Sequence, residues 1–370
     1  MLRFRSVLPA CLLPLAAAGG FNAGADDAPI RLSDAKSGQP QVAVTSDGRA
    51  YVVWAEGDAI LCAASPKVGD LFAKPVKAGE VAGLMKGMRR GPRVAAAGKG
   101  VVVTGIGRAK GDLLAWRSED GGATWSGPAT VNGKQDAARE GLSDLAAGST
   151  APTAGGASVH FHAAWLDLRE GKTQIWAAVS DDGGKTWKET RVYQSPSGTV
   201  CECCHPSIAA DGKGKVWILF RNSLEGNRDM YLATSADGGD HWPSPARLGT
   251  DSWKLGRCPM AGGALAVAGG NPAQVWTREE DIFLTDPAGR SRKIGRGRSP
   301  WAAEGPGGTY VVWRQSGEAG KVILQRPGGK PEVLSDDGSY PVIAGNLKAG
   351  VIAAWETSAG VFVQTIAKGK

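Results

Sequence analysis

Short apolar runs broken by polar turns set the pattern of this chain. Its clearest unit begins at His205-Pro206-Ser207-Ile208-Ala209-Ala210, turns at Asp211-Gly212-Lys213-Gly214, and resumes as Val216-Trp217-Ile218-Leu219-Phe220. A polar loop runs from Arg221 to Asp229. Then come Met230-Tyr231-Leu232-Ala233-Thr234-Ser235, the turn Ala236-Asp237-Gly238-Gly239-Asp240-His241-Trp242, and a last run, Ala246-Arg247-Leu248. Short apolar runs bounded by Gly, Asp and Asn predict strands. Apolar positions nowhere sustain the i, i+3, i+4, i+7 spacing of a helix. The unit therefore predicts four short strands, A to D.

The same order recurs along the chain. A-strands open with proline at Pro40, Pro92, Pro206, Pro259, Pro300 and Pro341, while the third, near Asp144-Leu145-Ala146-Ala147, lacks it. B-strands end in an aromatic at Trp54, Trp165, Phe220, Trp276, Trp313 and Trp355. C-strands are predicted over Ile60–Ser65, Leu113–Ser118, Ile175–Ser180, Met230–Ser235, Ile282–Asp286, Val322–Arg326 and Val361–Ile366. Seven units of roughly 40 to 60 residues match the period of propeller blades, so the expected fold is an all-β propeller of four-stranded antiparallel blades. A six-bladed ring with one aberrant insertion is the competing count. The last unit runs out of chain before its D-strand. Pro29-Ile30-Arg31-Leu32-Ser33-Asp34 resembles the D-strands Arg247-Leu248-Gly249-Thr250 and Glu332-Val333-Leu334-Ser335. The N-terminus is therefore expected to complete the last blade and remove both open edges. Prolines suit an inner edge strand, where a missing N–H costs least.

Residues 1–25 read as a secretory signal: Arg3 and Arg5, an apolar run from Val7 to Ala18, and Ala23-Gly24-Ala25 before Asp26. Residues 26–370 then form one domain, secreted and expected in the periplasm. A lipoprotein box at Leu8-Pro9-Ala10-Cys11 is the lesser alternative, with too little apolar length before the cysteine. No later apolar run reaches the length of a membrane span. The formal charge of +7 falls to +5 without Arg3 and Arg5, and no Lys/Arg-rich block exists, so nucleic acid is not an expected partner. Of six cysteines, Cys11 leaves with the signal. Cys62, Cys201, Cys203, Cys204 and Cys258 remain, an odd number that a monomer cannot pair completely.

Three C–D turns share a pattern. They are Ser118-Glu119-Asp120-Gly121-Gly122-Ala123-Thr124-Trp125, Ser180-Asp181-Asp182-Gly183-Gly184-Lys185-Thr186-Trp187 and Ser235-Ala236-Asp237-Gly238-Gly239-Asp240-His241-Trp242. Asp and Ser/Thr oxygens satisfy turn amides, paired glycines allow positive φ, and the tryptophan plugs the blade. The pattern resembles the Asp box, or BNR repeat, of the sialidase superfamily. The resemblance implies the propeller fold, and says less about activity, because the boxes lie opposite the ligand face in that family. Its sialidases have an arginine triad for the sialic carboxylate, a Tyr nucleophile with a Glu partner, an Asp acid/base and an early Arg-Ile-Pro motif. Here the nearest analogue of that motif is Arg90-Gly91-Pro92, a poor match, and Tyr340 is the tyrosine placed near the channel. The combination of Asp boxes, an Arg-Asn turn and a Cys-rich connection also resembles secreted bacterial sialidase-like proteins of uncharacterised activity, which implies location and fold rather than a reaction.

In a propeller the A-strands line the channel, and the D–A connections and B–C loops share one face. This places Cys201-Glu202-Cys203-Cys204-His205 at the mouth of blade 4 and Arg257-Cys258-Pro259-Met260 beside it at blade 5, with Met85, Met88, Arg89 and Arg90 in the connection into blade 2. Cys62 sits mid-strand as a buried thiol. Cys201, Cys203, Cys204, His205, Cys258 and Met260 form a soft donor set that suits Cu(I) best and Zn(II) next. The structural alternative is oxidation, as a Cys203–Cys204 or a Cys204–Cys258 disulfide. The same face carries Arg108, Arg169, Arg221, Arg228, Arg278 and Arg314 from B–C loops and Arg257, Arg296 and Arg298 from D–A connections. Asp167, Glu225, Asp229, Glu279, Glu280 and Asp281 accompany them. These are solvated ion pairs or a pocket for an anionic small molecule or glycan. Arg221-Asn222 and Arg228-Asp229 flank the cysteines, with Arg257, Arg278 and Arg169 the further candidates. His160 and His162 alternate on one strand face and are expected to pack. Trp253 and Trp301 are expected in the core. Three functions stay open: a metal-binding or redox propeller using copper or zinc, a sialidase-type hydrolase of an anionic sugar, and a scaffold whose cysteines staple blades.

Overall fold

A computed structural model describes residues 27–149, 159–317 and 320–369. The signal sequence, and Cys11 within it, lie outside the described residues. Seven antiparallel four-stranded sheets form the ring, in agreement with the seven repeats. Among the described residues no helix occurs, and none is long and apolar enough to cross a membrane. The predicted C-strands Leu113–Ser118 and Met230–Ser235 have those bounds in the structure. Blade 4 comprises Ser207–Ala210, Val216–Arg221, Met230–Ser235 and Ala246–Arg247. Ring closure is also as expected: Ile30–Arg31 pairs with Gly360–Lys368, Ile30 opposite Val363 and Arg31 opposite Phe362.

Second strands are covered on both faces by neighbouring blades. Val216–Arg221 is buried at every position, and Trp54, Trp165, Phe220, Trp276, Trp313 and Trp355 are all buried. A fully buried aromatic side chain contributes roughly 1.5–3 kcal/mol. Outer strands face solvent, as in Ser126–Thr130.

The Asp boxes work as the residues imply. In the first, the Ser118 hydroxyl donates to Asp120 at 2.7 Å and accepts the Gly122 N–H at 2.8 Å, while Asp120 accepts the Ala123 and Thr124 amides at 3.0 and 2.9 Å. Gly121 and Gly122 have φ of 79° and 91°, as the hairpin requires. The hydrogen bond from Thr124, with the others, holds the Asp120 carboxyl below its usual range. Trp125 donates to Gly122 O at 3.0 Å and packs against a cluster built from both blade 1, with Tyr51 and Val53, and blade 2, with Val101 and Val103, so it wedges the two blades together. Trp187 and Trp242 make the same wedge one and two blades further on.

The A-strand prolines have a second role. Register shifts fall at Gly38/Gln41, Arg298/Trp301 and Ser339/Val342, each across a proline. The residue before each proline is left-handed: Gln39, Ser299 and Tyr340 have φ of 56°, 54° and 49°. These prolines mark bulges that turn the connection inward at the channel mouth, beyond merely sparing an edge N–H.

Candidate functional site

The channel is narrow. A cavity of about 220 Å³ runs between the seven first strands, past Val42, Val94, Leu145, Ile208, Leu265 and Ile343. The connection into blade 2 closes its mouth. Met88 and Arg89 are left-handed there, with φ of 51° and 64°. Buried Arg89 donates across the opening to Pro341 O at 2.9 Å and to Ser299 O. Its guanidinium lies 5.0 Å from the Trp301 ring centroid. The Tyr340 hydroxyl accepts the Met88 N–H at 3.1 Å. Arg93 donates to Ser143 O at 2.8 Å and approaches Asp144 at 3.7 Å. Arg90, of the Arg-Gly-Pro triplet, donates to Glu140 O at 2.6 Å. Trp301 is core, as expected, but it is also the surface on which this plug rests.

The sulfurs gather beside the plug, on the seam between blades 4 and 5. Cys201 is anchored by its own amide, which donates to Arg221 O at 3.0 Å, and by the Val200–Asn222 bridge next to it. Its Sγ lies 3.0 Å from Cys204 Sγ and 3.4 Å from Cys258 Sγ. The sulfurs of Cys201, Cys203 and Cys258 all lie within 4.8 Å of one another. Cys203 and Cys258 are joined as a disulfide with a Cα–Cα distance of 6.6 Å. Neither expected pairing forms: Cys204 turns into the core beside Cys201, and adjacent Cys203 turns outward to Cys258. Main-chain amides point at sulfur, including Met260 N–H to Cys258 at 3.4 Å. The hydrogen bond from Cys204, reinforced by Arg221 and Arg228, draws the Cys201 thiol below the usual thiol range. Burial pushes Cys204 up. The two shifts are opposite, so the anionic form is favoured at Cys201 over Cys204. Cys62, alone in blade 1, is pushed up to about 12 by burial, the inert thiol that was expected.

His205 parts from the sulfurs. The His205 ring stacks on Trp301 at 5.5 Å and 14°, and burial, with Arg89 and Arg93 nearby, keeps it neutral. Its Nε2 is buried without a partner. Met260 is 54% exposed. Of the other methionines, Met85 packs against Gly141 in the core shared by blades 2 and 3, and Met88 is exposed.

The arginine rim is largely consumed by the protein itself. Arg221, 2% exposed, donates to Ala261 O at 2.9 Å, to Thr277 O at 2.8 Å and to Arg228 O. It staples blade 4 to blade 5 and sits beside the thiols. Asn222 is fully buried and donates to the Tyr193 hydroxyl at 3.0 Å. Asp229 accepts the Trp253 N–H at 2.7 Å and faces Arg247 at 3.5 Å. Arg169 is clamped by Asp167 and Glu189 and stacks on Trp176 at 3.3 Å. Arg278 pairs with Asp251 at 3.5 Å. Arg257 is exposed, and the Nε of Arg228 is buried without a partner. The plug residue Arg89 was placed on this face by the sequence. Its bridge across the mouth was not foreseen, and the Ser299-Pro300 and Tyr340-Pro341 pairs that receive it were the available signal.

On the Asp-box face, His160 and His162 line a cavity of about 280 Å³ with Asp181, Asp237 and Asp240. His160 pairs with Asp181, and buried His162 is pushed down to about 4 by burial, with His160 adding to the effect.

Residues 98–268, most of blades 2 to 4, match the BNR repeat-like domain. No curated protein matches the chain. Among solved structures the chain is similar to a variant of the NanB sialidase of Streptococcus pneumoniae, at 11% identity over 92% of this chain and 70% of that one, with a TM-score of 0.53. It is similar to the GH93 α-L-arabinofuranosidase of Fusarium graminearum with arabinobiose, at 13% identity over 93% and 98% of the two chains and a TM-score of 0.50. It is similar to virginiamycin B lyase of Staphylococcus aureus, at 11% identity over 91% and 97% and a TM-score of 0.50. At these identities the likeness shows the fold alone.

Proposed function

Taking the chain as a sialidase-like BNR-repeat propeller, we propose that it captures a thiophilic metal ion, copper(I) first and zinc(II) second, in the thiols at its blade 4–blade 5 seam. The convergence of Cys201, Cys203 and Cys258 within 4.8 Å, with Cys204 at 3.0 Å from Cys201, carries this reading. A metal about 2.3 Å from each sulfur of a tetrahedral site needs S···S separations of roughly 3.8 Å. Cys201, Cys203 and Cys258 lie within 4.8 Å of one another, so binding requires reduction and parting of Cys203–Cys258. A fourth ligand requires Cys204 to swing in from beside Cys201. Three thiolates suit Cu(I) and four suit Zn(II). Arg221 offsets part of the added negative charge. The Met260 thioether, two residues after Cys258, is the spare soft donor, and His205 stays with Trp301. The oxidising compartment expected from the signal sequence makes reduction a condition for binding.

The test uses mature protein prepared reduced and metal-free without oxygen, titrated with Cu(I) or Zn(II) against a chromogenic chelator. One tightly held ion per chain is expected, with capture lost in Cys201→Ser and Cys258→Ser and kept in Cys62→Ser. Absence of competition with the chelator, or equal binding by Cys201→Ser, would overturn the reading. The hydrolase alternative draws on the sialidase and arabinofuranosidase folds above. It is weakened because Arg169 and Arg221 are spent on internal partners. Turnover of a fluorogenic sialoside, abolished in Arg257→Ala, would restore it.

A further inference from the structure

The four sulfurs stand in a definite order of contact. The Cys203–Cys258 disulfide joins two half-buried cysteines on adjacent connections. Cys201 Sγ lies 3.4 Å from Cys258 Sγ, one of the two bonded sulfurs. Cys204 Sγ lies 3.0 Å from Cys201 Sγ. Cys201 and Cys204 are both buried, at 0% and 1% exposure. Each free thiol therefore touches the next sulfur that it would have to attack, and the chain of contacts runs from the rim inward. Exchange proceeds by attack of a thiolate on a disulfide sulfur, and access decides which sulfur is attacked.

We propose that the cluster is an intramolecular thiol–disulfide relay that moves one disulfide between the rim and the core. In the first step Cys201 sulfur attacks Cys258 Sγ. The Cys201–Cys258 bond forms, the Cys203–Cys258 bond breaks, and Cys203 leaves as a thiolate that takes up the proton Cys201 released. In the second step Cys204 sulfur attacks Cys201 Sγ. The Cys201–Cys204 bond forms, the Cys201–Cys258 bond breaks, and Cys258 leaves and takes up the proton of Cys204. One disulfide and two thiols stand on each side of each step, so no outside oxidant or reductant is needed.

The relay changes what the surface presents. With the bond at Cys203–Cys258 the two blades are covalently joined and the rim offers no free thiol. With the bond at Cys201–Cys204 the joint is open, and Cys203 and Cys258 form a half-buried dithiol able to exchange with an external dithiol or disulfide. The Cys201-x-x-Cys204 spacing keeps the inner bond within one connection. Arg221, held by Ala261 O and Thr277 O, keeps a fixed positive charge beside the inner pair. The relay uses the same sulfurs as the metal reading but requires no metal.

The test is a disulfide map of the mature chain in chelator, without metal, so that its outcome is separate from that of metal binding. The protein is equilibrated in a glutathione redox buffer that holds one disulfide per chain, quenched in acid, alkylated and digested. Three linkages are expected in the wild type: Cys203–Cys258, Cys201–Cys258 and Cys201–Cys204. Cys204→Ser should lose the third and keep the first two, and Cys201→Ser should lose both linkages containing Cys201. A wild-type map containing only Cys203–Cys258, with Cys201 and Cys204 fully alkylated, overturns the relay. The wild-type map decides this even where a variant fails to fold.

Discussion

Arg221 heads the arginines that the sequence places beside the cysteines, and the structure makes it the most telling residue to change. Replacing it with methionine keeps most of the volume and removes the guanidinium. Three main-chain carbonyls, Ala261 O, Thr277 O and Arg228 O, then lose their donor, in a site where the side chain is 2% exposed. A buried group left unsatisfied costs about 1–3 kcal/mol. Water recovers part of this where the seam opens, so the loss should be roughly 3–6 kcal/mol, a large share of the ~5–15 kcal/mol typical of a folded domain. Arg221→Lys should recover little of it, because a single ammonium cannot replace a planar fork that serves three directions. Equilibrium denaturation in urea measures the effect, with exposed Arg257→Ala as the control, expected within about 0.5 kcal/mol of wild type. A loss below about 1 kcal/mol in Arg221→Met would refute the staple and return the residue to the ligand-binding set.

His162 links stability to pH. Its folded pKa lies at about 4 against 6.5 when unfolded, so between these values the unfolded chain binds the proton and the folded one does not. Stability should therefore be complete above about pH 6.5 and fall as pH drops toward 4, by on the order of 3 kcal/mol from this group. His162→Gln should flatten that part of the denaturation-versus-pH profile, and an unchanged slope would assign the dependence to other groups. Asp182 belongs to the opposite case. Burial opposes ionisation there, but hydrogen bonds from Thr186, Ser180 and Lys185 outweigh it and hold the carboxyl at about 2. Its contribution is present above the unfolded value near 3.8 and lost as pH falls through about 2. Asp182→Ala should cost about 1 kcal/mol, the scale of a capping side chain, at pH 7, and nothing at the acid end; equal destabilisation at both would refute the turn-bonding account.

The ring was legible because its information is repeated. Leu113–Ser118 and Met230–Ser235 could be bounded from sequence since an Asp box follows each strand and fixes where the hairpin turns. Ile30–Arg31 was assigned to the last blade by likeness to other outer strands, a comparison only a repeat allows. The sulfur pairing had no such support. Cys203 and Cys204 are neighbours in a connection without periodicity, yet one faces the rim and the other the core. The side on which each emerges depends on Cys201 being tied to Arg221 O, a contact with no signature in composition. The arginines failed in a related way. Sequence places Arg169 and Arg221 on the ligand-face loops, but whether a guanidinium is free depends on carbonyls and carboxylates brought in by other strands.

These losses change where the site must be approached. With the mouth of the channel empty, a ligand would descend the ring axis, and the arginines around it would be a funnel. Arg89 instead crosses the mouth to Ser299 O and Pro341 O, with Trp301 and neutral His205 stacked beside it. These buried groups fill the axial route, and the Arg89 bonds that cross it end on main-chain carbonyls of the protein itself. Cys203 and Cys258 are half-buried at the seam between two blades, while Cys201 and Cys204 lie behind them. A metal ion or an external thiol therefore meets the rim pair first and the core pair second. The order of exposure along the seam, rather than the depth of the channel, is what would govern chemistry here.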